Sequence, residues 1–89
     1  MEDILGAGAL CELLVNHDAR MELLDSAETA QRVYREARCD LFGAISHSQN
    51  GRRLMACAEL QDDVAFCLRR DAYEVVALLG ADGVVRASV

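Results

Sequence analysis

This 89-residue chain contains no proline, no tryptophan and no lysine. Without proline it has no proline-rich linker, and a helix break must come from other residues. Without lysine all nine basic residues are arginine, a bias that follows G+C-rich coding. Motifs of strong chemistry are also missing: no P-loop, dinucleotide fingerprint, nucleophile elbow or zincin pattern occurs. Basic charge is scarce, with nine arginines against 15 acids and a formal net charge of -6. The isoelectric point is about 4.7. This balance excludes a general nucleic-acid binder, which needs a basic face to displace counterions. No apolar run approaches the ~18 residues of a membrane span. Glu2 and Asp3 stand where a secretory signal would carry basic residues. The expectation is a cytoplasmic protein with neither a nucleic-acid nor a membrane partner.

Cysteine is present but poorly placed for chemistry. Cys11, Cys39, Cys57 and Cys67 form no Cys-x-x-Cys pair, so zinc and redox motifs are not indicated. All four have apolar neighbours in sequence, which predicts small buried thiols in a reducing compartment.

Hydrophobic residues make up 53% of the chain, enough for a core and too many for a disordered segment. The length fits one small domain or a piece of a larger one. Residues 2–15 read as a helix with acids in its first turn and an apolar surface around most of its circumference. Gly6 and Gly8 weaken it unless the backbone packs closely there or lines a site. A second helix runs from a cap at Asp25 or Ser26, with Glu28 completing a capping box, to about Cys39. Its apolar stripe is Ala27, Ala30, Val33, Tyr34 and Ala37. A helical turn over residues 40–45 directs Leu41, Phe42 and Ile45 inward. A helix starts near Asn50 or Gly51 and breaks near residues 58–61, with Leu54, Cys57 and Ala58 on its buried side. After Asp62-Asp63, Val64, Phe66, Cys67 and Leu68 pack inward. Tyr73–Leu79 and Val84–Val89 read as strands around a Gly80-Ala81-Asp82-Gly83 turn. Two strands alone are marginal, so they extend a sheet or lie on the helices.

The segment Ser46-His47-Ser48-Gln49-Asn50-Gly51-Arg52-Arg53-Leu54 carries the most chemistry. A polar entry to a helix leaves backbone N–H groups free and suits an anion, and Arg52 or Arg53 could add a bidentate fork. Against this stands plain helix capping by Ser46 or Ser48. Glu2 and Asp3 diverge by ~100° on a regular helix, so they share a cation only at a distorted helix start. His17 and His47 read as loop histidines, and Asp62-Asp63 as a helix start.

Three blocks in order resemble the 2-phosphosulfolactate phosphatase family. Glu2-Asp3-Ile4-Leu5-Gly6-Ala7-Gly8-Ala9-Leu10 resembles its Glu-Asp-x-x-x-Ala-Gly-x-x helix. Ser48-Gln49-Asn50-Gly51-Arg52-Arg53-Leu54 resembles its Ser-x-[His/Asn]-Gly-Arg-x-Leu segment. Asp63-Val64-Ala65-Phe66-Cys67, then Asp71, Val75-Val76 and Asp82-Gly83, resemble its closing stretch. The resemblance covers nearly all of the chain but only the family's C-terminal portion. It implies an α/β fold: several helices and then two strands, part of a larger α/β/α phosphatase. It implies a Mg²⁺-dependent hydrolase that converts 2-phosphosulfolactate to sulfolactate and phosphate, a step toward coenzyme M in methanogens. It places Glu2 and Asp3 near the metal, and Ser48, Asn50, Gly51 and Arg52 at the anion end. It names no catalytic residue for this portion. Met1 falls where the family continues, so the expectation is a truncated product or part of a longer chain, incomplete as an enzyme. The departure at Cys57-Ala58-Glu59-Leu60, where the family often has glycine, predicts an altered break. The alternative is a non-catalytic helical module that forms a homodimer through residues 2–15.

Overall fold

The computed structural model describes residues 1–88. Five helices are followed by two antiparallel strands: α1 Glu2–His17, α2 Asp25–Ala37, α3 Leu41–Ser46, α4 Gln49–Met55, α5 Gln61–Cys67, β1 Val76–Leu79 and β2 Val85–Ser88. This is the expected α/β order of helices before strands. Helices α1 and α2 form a hairpin, and the three short helices pack together beside it. Leu5, Ile45 and Val64 form the core, flanked by half-buried Val33, Ala37, Leu41, Leu54, Met55 and Leu68.

The α1–α2 crossing is very close. A Cβ built on Gly8 would lie 2.1 Å from the Ala30 carbonyl oxygen and 2.6 Å from the Tyr34 Cβ. Only glycine permits that approach. Gly6 differs, because a Cβ there meets nothing within 4 Å. One of the two glycines is therefore a packing device. Beyond the crossing, Glu12 accepts from Arg35 Nε at 2.7 Å and from Gln31 Nε2 at 3.1 Å. Gln31 is buried at 6% exposure, and Glu12 is its hydrogen-bond partner.

Several local expectations are corrected. Leu24 occupies the N-cap of α2, so Asp25 is already its first helical residue and no side chain caps the helix. Glu28 pairs with Arg32 one turn on, at 2.7 Å, instead of closing a capping box. Helices α3 and α5 are too short to bury a broad face. Phe42 and Phe66 therefore remain 42% and 51% exposed. Cys39, Cys57 and Cys67 are exposed and Cys11 half-buried, so the thiols are not core residues. Ala58 is exposed as well. The break between α4 and α5 covers residues 56–60. There Gln61 Nε2 donates to the Met55 carbonyl at 2.7 Å, satisfying an end of α4 that has no helical donor.

Val89 lies outside the described residues, and the strands start later than their apolar runs, at Val76 and Val85. They pair Val76 with Ser88 through Leu79 with Val85. Gly83 takes φ 78° in the connecting turn, and Asp82 Oδ1 accepts from the Val84 amide at 3.1 Å. Neither strand joins the core, and Val76, Leu78, Leu79 and Val85 are all more than half exposed. The Cα radius of gyration is 15.4 Å, against about 12 Å for a compact domain of this length. The accessible surface is 7156 Å², against roughly 5,100 Å² for a folded monomer of this mass. The hairpin and α1, with Ile4, Leu10 and Leu13 each near half exposed, carry much of that excess.

The α1–α2 contact generates three predictions. Gly8→Ala must push the helices apart and should lower stability by about 1–3 kcal/mol. Gly6→Ala has room and should raise stability by up to about 1 kcal/mol, both read by thermal melting. Arg35 holds the Glu12 carboxyl below its ordinary value of 4.5. A depressed carboxyl stabilises the fold above its unfolded value, and this is lost as pH falls through the folded value. Wild type should therefore lose melting temperature below about pH 4.5 more steeply than Glu12→Gln. Identical acid limbs would exclude the pair as a source of stability.

Candidate functional site

The polar segment between α3 and α4 is an elbow whose groups largely bond to one another. Ser46 Oγ donates to the Phe42 carbonyl at 2.5 Å. Ser48 is the N-cap of α4: its Oγ accepts from the Gly51 amide at 3.1 Å and donates to the Ile45 carbonyl at 2.6 Å. A serine hydroxyl has one proton, so Ser48 in this arrangement has none left for an anion. Gly51 is buried, and a Cβ on it would lie 1.7 Å from the Ile45 carbonyl oxygen. Glycine is thus required for the end of α3 to abut α4. Arg52 Nη1 donates to the His47 carbonyl at 2.6 Å, bracing the same elbow with part of its guanidinium. His47 Nδ1 lies 2.6 Å from the Gly43 carbonyl. A carbonyl only accepts, so Nδ1 carries the proton there.

Next to this elbow is a cavity of about 280 Å³ between the starts of α1, α4 and α5. Its floor includes Ile45 and Leu54, and Glu2, Asn50, Gly51 and Asp63 reach its wall. Three of the six sequence-proposed residues, Glu2, Asn50 and Gly51, are thus brought together. Asp3, Ser48 and Arg52 do not line the cavity. Asp3 points elsewhere because adjacent residues on α1 diverge. Glu2 is held below its ordinary carboxyl value first by a backbone amide bond and then by the chain amino group, 3.3 Å away. Asp63 is the residue that sequence reasoning left out of the site. It stands in the third resembling block, but its place on the same cavity as Glu2 depends on how α5 packs. Among the described residues no group of three or more His, Cys, Asp or Glu converges as a metal cage. Glu2 and Asp63 are the carboxylates on this cavity wall.

The elbow generates a stability prediction. Ser48→Ala should cost about 1 kcal/mol through loss of the cap, measured by chemical denaturation. Gly51→Ala should cost more, because backbone rather than a flexible side chain occupies its space. Equal and negligible effects would show that the elbow is not built as described.

A family model for 2-phosphosulpholactate phosphatase matches residues 1–82. The chain is 29% identical over 86 residues to the "Probable 2-phosphosulfolactate phosphatase" of Gloeothece citriformis, covering 96% of this chain and 35% of that protein. It is 26% identical over 76 residues to the protein of the same name from Clostridium acetobutylicum, covering 85% of this chain and 32% of that one. The chain therefore spans about a third of the length of these curated relatives. No solved structure matches it. The family match covers both the α1 start and the elbow, which together wall the cavity, and the chain belongs to the 2-phosphosulpholactate phosphatase family.

Proposed function

We propose that this chain forms part of the substrate site of a cytoplasmic, Mg²⁺-dependent phosphomonoester hydrolase. The reaction is hydrolysis of 2-phosphosulfolactate to sulfolactate and inorganic phosphate, as in coenzyme M biosynthesis. The family match over residues 1–82 is the observation that carries this reading. The cavity chemistry is compatible with it. Mg²⁺ is usually held by one or two carboxylates, keeping its remaining sites for water and substrate phosphate. Glu2 and Asp63, both of which line the cavity, supply that number. When bound, the ion would polarise the phosphoryl group. Asn50 would donate from its side-chain amide to a substrate oxygen, and the apolar floor of Ile45 and Leu54 would limit water. The base or nucleophile is assigned to the part of the enzyme that lies outside this match.

A second reading rests on a different observation. Ile4, Leu10 and Leu13 of α1 are 46%, 57% and 56% exposed, an apolar surface that a homodimer could cover.

The test is phosphate release from 2-phosphosulfolactate with Mg²⁺. It compares this chain with a version extended by the two-thirds that its relatives carry beyond the match. The extended version should turn over, and chelation should abolish release. Glu2→Gln and Asp63→Asn should each lower its rate about tenfold or more. No release from a folded, extended enzyme overturns the phosphatase assignment. A concentration-dependent dimer that melts identically with and without Mg²⁺ and phosphate favours the second reading.

A further inference from the structure

The cavity at Glu2 does not end there. Glu2, Cys67 and Leu68 also line a neighbouring cavity of about 190 Å³, whose far wall includes Tyr34, Arg69 and Arg70. Ala9, Tyr34 and Arg70 in turn line a third cavity of about 290 Å³, closed by Asn16, Arg38 and Glu12. The three share walls and form one groove along α1. Glu2 and Asp63 stand at one end, and Arg38 and Arg70, with the already paired Glu12, at the other.

The basic end is organised. Arg70 Nη1 donates to the Tyr34 hydroxyl, and its guanidinium carbon lies 5.6 Å from the centre of the Tyr34 ring. Tyr34 is buried at 4% exposure, so an otherwise mobile arginine is tied to a fixed support. As the acceptor from Arg70, the phenol keeps its own proton to donate elsewhere. Asp71, the next residue, adopts φ 53°. Asp tolerates this left-handed conformation better than most residues.

The charges of this end are also distinctive. Among the described residues, Arg20, Arg32, Arg35 and Arg86 are the arginines paired with carboxylates. Arg38 and Arg70 have no such partner, yet both line the third cavity. The carboxylate there, Glu12, is engaged by Arg35 and Gln31. Arg38 and Arg70 thus share a cavity with one carboxylate that Arg35 already pairs, in a chain of net charge -6. A local excess of positive charge with fork geometry suits an oxyanion.

From this geometry we infer that Arg70 and Arg38, with Tyr34 and Asn16, bind one oxyanion terminus of a small molecule: a carboxylate, sulfonate or phosphate. Arg70 supplies the fixed fork and Arg38 the second charge. Tyr34 is a positioning residue that also offers a donor. The site lies beyond the Glu2–Asp63 cavity, uses none of its residues and does not require the chain to be a phosphatase.

The experiment uses the 89-residue chain, labelled with ¹⁵N, in magnesium-free buffer. It is titrated separately with inorganic phosphate, methanesulfonate and acetate while the arginine Nε–H resonances are followed. At least one of the three should give saturable shifts at Arg70 and Arg38, and the one that does identifies the group. Arg70→Ala should weaken binding about tenfold. Arg70→Lys, which keeps the charge and loses the fork, should fall between Arg70→Ala and wild type. Tyr34→Phe keeps the ring and should weaken binding while releasing the Arg70 resonance toward that of a mobile side chain. Arg53→Ala removes an exposed arginine elsewhere and should leave binding unchanged. Equal weakening in Arg53→Ala and Arg70→Ala, or no saturable shift with any probe, overturns the inference. Glu2→Gln should leave this binding intact. If an extended enzyme releases no phosphate while this binding persists, the phosphatase reading fails and the anion site stands. If the extended enzyme is active but these shifts are absent, the reverse holds.

Discussion

The close crossing of α1 on α2 at Gly8 is the contact on which the rest of this structure depends. With the Ala30 carbonyl only 2.1 Å from where a Cβ would be, the two helix backbones approach too closely for any residue but glycine at position 8. The crossing determines which side of α1 faces α2. It turns Leu5 into the core and sets Glu12 opposite Arg35 and Gln31. It also buries Tyr34, the support for Arg70. One turn before Leu5 in the same helix stands Glu2, so the crossing also delivers that carboxylate to the starts of α4 and α5. A single missing methyl group therefore connects the core with both ends of the groove.

The α3–α4 elbow shows how polar residues can be absorbed by structure. Short helices have a high proportion of unsatisfied terminal groups, and α3 and α4 have only six and seven residues. Ser46, Ser48, His47 and Arg52 are largely spent on those groups. Asn50, which none of these bonds engages, lines the cavity together with Glu2 and Asp63. The family match then gives these groups a context that a hydrogen-bond inventory could not supply. Within an acidic chain, Arg38 and Arg70, which pair with no carboxylate among the described residues, form a second and opposite electrostatic feature at the other end of the groove.

The hairpin obeys a different constraint. Its pairing and turn are satisfied locally, by the strand register and by the Asp82 bonds to Val84 and Arg86. Its apolar side chains are not, since both strands remain exposed on both faces. Backbone hydrogen bonds in a two-stranded ribbon do not replace a core. The same shortage explains the exposed Phe42 and Phe66: helices of one or two turns offer too little surface to cover an aromatic ring.

The family was read from the resemblance of three ordered blocks; local chemistry was enough to read the order of helices and strands, the apolar stripe of α2 and the turn at Gly80–Gly83. Each depends on periodicity, a required φ or a run of neighbours, all of which are written along the chain. Ser48 as a cap was also legible, because capping acts within three residues. Contacts between distant segments were not. Gly6 and Gly8 are alike in sequence, and only the path of α2 makes one essential and the other free. Asp63 does stand in the first turn of α5, as the sequence reads, but only packing brings it to the cavity that Glu2 also lines. The cysteines had apolar neighbours in sequence, but burial depends on neighbours in space, and three of the four face solvent. Arg70 gained its meaning from Tyr34, 36 residues away. The sequence by itself determined the elements and their kinship. Tertiary structure decided which polar groups were consumed by folding and which were left to meet a ligand, because hydrogen bonds and charges are paired by distance rather than by order along the chain.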